Sequence, residues 1–283
     1  MKLAKKMSAA LALALVAALG TSAHAQSVSY NEGDLLLGFN QTGAADNYVV
    51  DLGAVSNFIN ATGSLTFDLS TSDLTSTFGS SWASNSQTNL VNWGVIGGSD
   101  VTNTITVGGD TLQANTLFYT IGEQTLGNQS TAPTEKSNAV QKSYNGNINS
   151  NFATGSGGFS GTTPTSGSTG SLQAINQTAG ATNSWSYELS SKTYFGTGNN
   201  IEQPTTGAAD GPTDSALDLY ELTPTNASIT KPTTYLGSFS LASSGVLTFT
   251  NASAVPEPSS YALIGLGLLF LVWRLRAKSA SAL

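Results

Sequence analysis

Cysteine is absent from all 283 residues, and the one histidine (His24) and both methionines (Met1, Met7) fall within the first 25. Residues 26–254 contain no arginine. Only four lysines, Lys136, Lys142, Lys192 and Lys231, stand there against sixteen acids. Each absence removes a class of function. Without Cys or His in that stretch, a Ser-His-Asp triad, a Cys-His pair, a thiolate or imidazole zinc site and covalent haem are excluded there. An acidic surface with four lysines cannot neutralise a row of phosphates, so nucleic acid is not an expected partner. No disulfide can brace the fold. It must rely on its own core, and roughly 230 residues suffice for one large β domain or two small ones.

Charge is also scarce, at 10% of residues against about 25% in an ordinary globular chain. Ser (38), Thr (36) and Asn (22) take its place. A surface solubilised by hydroxyls and amides suits an exported β protein. The start of the chain agrees. Met1–Lys6 is a basic segment, Met7–Gly20 an Ala/Leu run, and Ala23-His24-Ala25 a small-x-small site. That order reads as a secretory signal peptide over residues 1–25, cut between Ala25 and Gln26. His24 would leave with it.

The other end reads Val255-Pro256-Glu257-Pro258-Ser259-Ser260, then the apolar run Tyr261–Trp273, then Arg274-Leu275-Arg276-Ala277-Lys278. Arg274, Arg276 and Lys278 should stop transfer and stay on the cytoplasmic side, leaving the preceding domain outside. The run is short against the roughly 20 residues of a full span. Counting residues 259–275, with the two arginines snorkelling, gives a thin transmembrane helix. A buried C-terminal helix is the alternative, but no apolar stripe faces a polar one here.

This tripartite tail, residues 255–278, resembles the PEP-CTERM sorting signal of exported bacterial proteins. The resemblance implies recognition at Pro256, Glu257 and Pro258 by an exosortase-type membrane protease. It also implies an inner-membrane precursor, processing near the motif, and release or transfer to the cell surface or an exopolysaccharide matrix. The same tail is named an ice-binding protein C-terminal domain, a label for the tail alone. Asn31-Glu32-Gly33-Asp34-Leu35-Leu36-Leu37-Gly38-Phe39, followed by Tyr48-Val49-Val50-Asp51-Leu52-Gly53, is similar to a globular domain common among such proteins. That likeness implies no biochemical function.

Period-two alternation recurs through residues 26–254 and predicts strands. Leu35, Leu37 and Phe39 share a face, as do Tyr48, Val50 and Leu52. Val101–Val107 alternates Val101, Ile105 and Val107 with Thr102, Thr104 and Thr106. Leu117, Tyr119 and Ile121 repeat the pattern, as do Trp185, Tyr187 and Leu189. Tyr235, Phe239 and Leu241 lead through Ala242–Gly245 into Val246–Thr250 as a hairpin. Ser70-x-x-Asp73 with Leu74, Phe78 and Gly79 predicts a short helix. A second helix over residues 134–151 would align Val140, Tyr144 and Ile148, with Asn145-Gly146 weighing against it. Many short strands between Gly, Asn and Ser turns point to a mainly β protein, an antiparallel sandwich or jelly-roll-like domain. Residues 153–171 form a low-complexity Gly/Ser/Thr loop within that one domain.

Candidate chemistry is sparse. Asp210, Asp214 and Asp218 are the densest carboxylates, but their spacing fails the EF-hand pattern, so they are at most weak calcium ligands and no cofactor is expected. Sixteen acids leave glycoside hydrolysis formally open, with nothing to mark a pair of them. Trp82, Trp93, Trp185 and the tyrosines could form a sugar platform, although alternation with small polar residues favours core. The Thr102-Thr104-Thr106 row could start an ice-binding ladder, but only one copy is present. The expectation is therefore a non-catalytic, exported surface or matrix protein. A carbohydrate- or ice-binding module is the first alternative and a hydrolase the second.

Overall fold

A computed structural model describes residues 30–84, 89–123, 128–133, 137–152, 172–182, 184–190, 202–205, 216–224 and 233–252. The strands are β1 (Asp34–Gln41), β2 (Asp46–Ala54), β3 (Ser64–Asp68), β4 (Val91–Gly98), β5 (Ile105–Val107), β6 (Asp110–Leu112), β7 (Leu117–Gly122), β8 (Gln173–Thr178), β9 (Gln203–Pro204), β10 (Ala216–Leu222), β11 (Thr234–Leu241) and β12 (Val246–Asn251). Ten of them form one antiparallel sheet in the order β3-β12-β11-β10-β7-β4-β1-β2-β8, with β9 added beside β4. β5 and β6 form a separate hairpin. The helices are α1 (Ser56–Ile59), α2 (Thr71–Phe78), α3 (Asn138–Phe152) and α4 (Trp185–Ser190).

The mainly β, antiparallel class is the one that the alternation predicts. The sheet is curled, because α1 touches both β2 and β12, strands near opposite ends of the order. Its concave face closes over Leu35, Leu37 and Phe39, Tyr48, Val50 and Leu52, and Phe239, Leu247 and Phe249. Phe58 of α1 plugs the seam, its ring 5.7 Å from Phe67 and 5.1 Å from Phe249.

The convex face is divided. Over its β2-to-β10 half, Leu36, Val49, Ile96, Tyr119 and Tyr220 are buried under Tyr144, Ile148 and Phe152 of α3 and Trp185 of α4. Continuous apolar runs such as Leu35-Leu36-Leu37 are therefore buried on both sides, as in a strand covered on both faces. Over the β11-β12-β3 half no helix among the described residues covers the sheet, and hydroxyls are most of its outward side chains. Register places Ser64, Thr250 and Ser238 in one cross-strand rank and Thr66, Thr248 and Ser240 in the next. Their exposure ranges from partial to full.

Helix α2 begins as the sequence predicts. The Ser70 Oγ accepts the Asp73 N–H at 3.3 Å, and Gly79 ends the helix at φ 89°. Ser70→Ala should lower stability by about 1 kcal/mol, the usual value of such a cap, measured by urea unfolding. Helix α3 also forms despite Asn145-Gly146. Asn145 is buried and its Nδ2 donates to the Thr116 carbonyl at 2.9 Å, so a tertiary bond outweighs weak propensity.

Two strand expectations are corrected. Trp185, Tyr187 and Leu189 lie on helix α4, where the Ser184 Oγ accepts the Tyr187 N–H at 3.2 Å as an N-cap. The strand expected over Val101–Val107 is only Ile105–Val107. Asp100 Oδ1 takes the N–H groups of Thr102 and, at 2.6 Å, of Asn103, and this turn bends the chain out of extension. The threonine row is broken with it. The loop expected at 153–171 lies outside the described residues.

Candidate functional site

The described chain ends just past β12. Asn251 closes that strand, its Nδ2 donating to the carbonyls of Phe58 at 2.7 Å and Ile59 at 3.3 Å in α1. Pro256 follows five positions later in the sequence. At about 3.5 Å per residue, the start of the Pro-Glu-Pro motif can lie no further than roughly 18 Å from that anchor.

Beside this end, β3 is an edge. Among the described residues it pairs only with β12. The Leu69 N–H bonds the Gly245 carbonyl at 2.9 Å, so Leu69 and Gly245 form a hydrogen-bonded pair. Hydrogen-bonded and non-bonded pairs alternate in an antiparallel ladder. Phe67 with Leu247 and Leu65 with Phe249 are then bonded pairs in the observed register. Ser64, Thr66 and Asp68 therefore turn their backbone N–H and C=O groups away from β12, to the open edge. A cleft of about 540 Å³ runs beneath that edge, walled by Leu52, Ala61, Leu65 and Phe67 and by the amides Asn57 and Asn60. Ser56 also lines it. Its Oγ is buried without a hydrogen-bond partner among the described residues. None of the cleft's walls carries a titratable side chain.

Asp34, Asp51 and Glu202 sit elsewhere and have structural duties. Asp34 and Asp51 are buried together at the β1–β2 end. Asp34 Oδ2 accepts the N–H and Nδ2 of Asn31, both at 3.1 Å, and Asp51 Oδ1 accepts the Gly53 N–H at 2.7 Å. Burial first, and then the Asp34 charge, push Asp51 up to about 7. Burial also raises Asp34, against the Asn31 bonds that lower it. Glu202 takes the Trp185 indole N–H at 2.7 Å and the Asn40 amide on one oxygen, and burial raises it to about 6. Those two bonds tie the β9 segment to α4 and β1.

Of the three candidate calcium ligands, only Asp218 is described. It lies fully buried on β10, where its Oδ2 accepts the Ser130 N–H. The Tyr220 hydroxyl donates to the Ser130 carbonyl at 2.6 Å, so Asp218 and Tyr220 together hold residues 128–130 against the sheet. Ser130 is 88 positions away from Asp218, and no local pattern could have announced that bond. Among the described residues no group of three His, Cys, Asp or Glu is placed to hold a metal ion. Trp82, Trp93 and Trp185 are core side chains, at most 4% exposed, so they form no sugar platform. Asp210, Asp214, the cleavage residues Ala23, Ala25 and Gln26, and the tail residues Pro256, Glu257, Pro258, Arg274, Arg276 and Lys278 lie outside the described residues. So does the apolar run at 259–275. No helix among the described residues is long and apolar enough to cross a membrane.

The family model of the PEP-CTERM protein-sorting motif matches residues 254–277. The chain carries an exosortase sorting tail. The match starts three positions after Asn251, so the PEP-CTERM motif follows the last strand almost directly. A protein with this motif is exported, is anchored in the membrane before processing, and is a substrate of an exosortase. The chain matches no curated protein and no solved structure.

Proposed function

We propose that this protein is a non-catalytic component of the cell surface or of an exopolysaccharide matrix, delivered there by its PEP-CTERM tail after removal of residues 1–25. The observation that carries the reading is the sorting motif, which starts three positions after Asn251 of a β body in which four carboxylates are committed to the framework. Asp34, Asp51, Glu202 and Asp218 each bond backbone or side chains that hold strands and loops in place. The cleft beside β3 is walled by amides, hydroxyls and apolar side chains, and Asp110 at its rim is bonded to Asn60, which suits binding rather than hydrolysis.

In the precursor, the 259–275 segment would anchor the chain with residues 26–254 outside, oriented by Arg274, Arg276 and Lys278. Pro256 and Pro258 disfavour helix at the residues before them, which would present Glu257 on an extended stretch close to the bilayer. Glu257→Ala should leave anchored, unprocessed protein in the membrane fraction. Fractionation with mass spectrometry of both mature termini reads this directly, and should find Gln26 as the first residue of the wild-type product. Normal release of the Glu257→Ala protein would reduce the tail to a plain anchor.

One observation favours the alternative of a carbohydrate- or ice-binding module. Six hydroxyls stand in two cross-strand ranks on the uncovered half of the convex face. Strand spacing near 4.8 Å and a repeat near 6.8 Å along each strand make that a regular polar array. Glycan-array binding and ice-recrystallisation assays on the released domain, lost together on Thr66→Ala and Thr248→Ala, would favour this reading over a purely structural one.

A further inference from the structure

The sorting machinery must work against this end of the domain. A body of roughly 230 residues has a radius of gyration of about 17 Å, and the motif starts within roughly 18 Å of Asn251 along the chain. A protease that closes on Glu257 therefore works within a short chain length of the surface around α1 and the start of β3. Chance contact there would be neutral. This surface instead presents the features of a strand acceptor.

Three observations make it one. First, Ser64, Thr66 and Asp68 turn a row of backbone donors and acceptors away from β12, as the β3–β12 register requires, and no other strand among the described residues pairs with it. Second, the cleft under that edge has apolar walls in Leu52, Ala61, Leu65 and Phe67, where alternate side chains of an added strand would fall. Third, the buried Ser56 Oγ at the cleft has no partner among the described residues, and such groups are costly unless a bond is supplied. We infer that the open edge of β3 and the cleft beneath it are the docking surface for the exosortase, which adds an extended, apolar-alternating segment of its own as a further strand. Charge decides against lipid as the occupant. Asp68 lies on the edge and Asp110 bonds Asn60 at its rim, so an anionic bilayer is repelled, and the docking segment should itself lack acids. This inference rests on the sorting function proposed above and adds the surface through which sorting recognises the folded domain.

The test follows conversion of full-length precursor to product in cells that export and sort it. Thr66→Pro removes an outward N–H without touching the β3–β12 bonds, a position where an edge strand accepts proline. Thr62→Glu places a charge at the mouth of the cleft on an exposed residue and covers the case in which the proline variant fails to fold. Both should slow conversion by about threefold to tenfold, the equivalent of one hydrogen bond, while the purified domains melt as the wild type does. Glu257→Ala runs in parallel. Conversion of both edge variants at the wild-type rate, with Glu257→Ala blocked, would overturn the docking surface and leave the sorting tail intact. Normal conversion of Glu257→Ala would overturn both readings. Two further results would overturn the docking assignment alone. One is a dimer of the purified domain dissolved by Thr66→Pro with no change in conversion, which would assign the edge to a second copy. The other is Thr62-dependent binding to anionic vesicles, which would assign it to the membrane.

Discussion

Gly38→Ala should cost about 3 kcal/mol or more, the upper end of what overpacking a core costs and enough to remove most of the stability of a domain near the low end of the usual 5–15 kcal/mol. The reason is a contact that no neighbouring residue shares. A Cβ on Gly38 would lie 1.8 Å from Trp185 Cδ2 and 2.1 Å from Cε3. The indole lies flat on β1 at the one position where β1 has no side chain. The clash is not with a flexible tip that could swing aside. The ring is fully buried, and its N–H is fixed to Glu202 at 2.7 Å. Moving it would undo the docking of α4, the Asn40–Glu202 contact and the seating of β9 together. Urea denaturation of the purified domain measures the loss. A Gly38→Ala, Trp185→Leu double variant should be more stable than the sum of the single losses predicts, because the smaller side chain clears the inserted methyl. Simple additivity would mean that the glycine serves the backbone rather than the tryptophan.

Acid should stabilise this protein. Asp51 is raised from the ordinary carboxylate value of 3.8 to about 7, and Glu202 to about 6. A carboxyl whose folded-state pKa lies above its unfolded value contributes stability that is fully present below the unfolded value. That contribution is lost as pH rises through the folded one. The window therefore runs from about pH 4 to pH 7, and the melting temperature at pH 5 should exceed that at pH 8. Each pKa unit corresponds to about 1.4 kcal/mol, so Asp51 accounts for a few kcal/mol of difference on the order-of-magnitude scale. The excess of acids over the four lysines in residues 26–254 acts in the same direction, through self-repulsion that grows as carboxylates ionise. Asp100 opposes it only weakly, being held low by the N–H groups of Asn103 and Thr102 in an exposed turn. Asp51→Asn should raise the melting temperature at pH 8 and flatten the profile. A domain equally stable at both values, or a variant as pH-dependent as the wild type, would refute the assignment.

What could be read from the chain, and what could not, divides by the range of the interactions. Strand faces such as Leu35, Leu37 and Phe39 follow from period two, and the Ser70 cap and the Ala242–Gly245 turn follow from residues within four positions of one another. The tail is the extreme case, since its function lies in a contiguous stretch. The errors arose where a distant or competing partner decided the outcome. Trp185, Tyr187 and Leu189 alternate as a strand would, yet Ser184 caps a short helix there and the Gly38 gap accepts the Trp185 ring. Val101–Thr104 alternates too, but Asp100 takes the backbone amides that a strand would have used. The cleft escaped notice because its walls come from β2, α1 and β3, and because an open edge is a property of pairing rather than of composition. The hydroxyl ranks were missed for the same reason. Ser64, Thr250 and Ser238 are unremarkable until register sets them side by side.

The pairing of β3 with β12 also sets an order of events during export. Ser64 and Thr250 touch across 186 positions of chain, and β12 lies between β3 and β11 in the sheet. A chain that crosses the membrane from its N-terminus can collapse β1, β2 and β4 early, but β3 has no neighbour until the residues of β12 emerge. Such distant closures are slow, because loop entropy is lost before the contacts form. The strand that completes the core thus appears only a few residues before the sorting motif. Closure of the barrel-like seam and arrival of the tail at the bilayer become nearly simultaneous, so a chain stalled or truncated upstream would present neither a finished core nor a substrate for sorting.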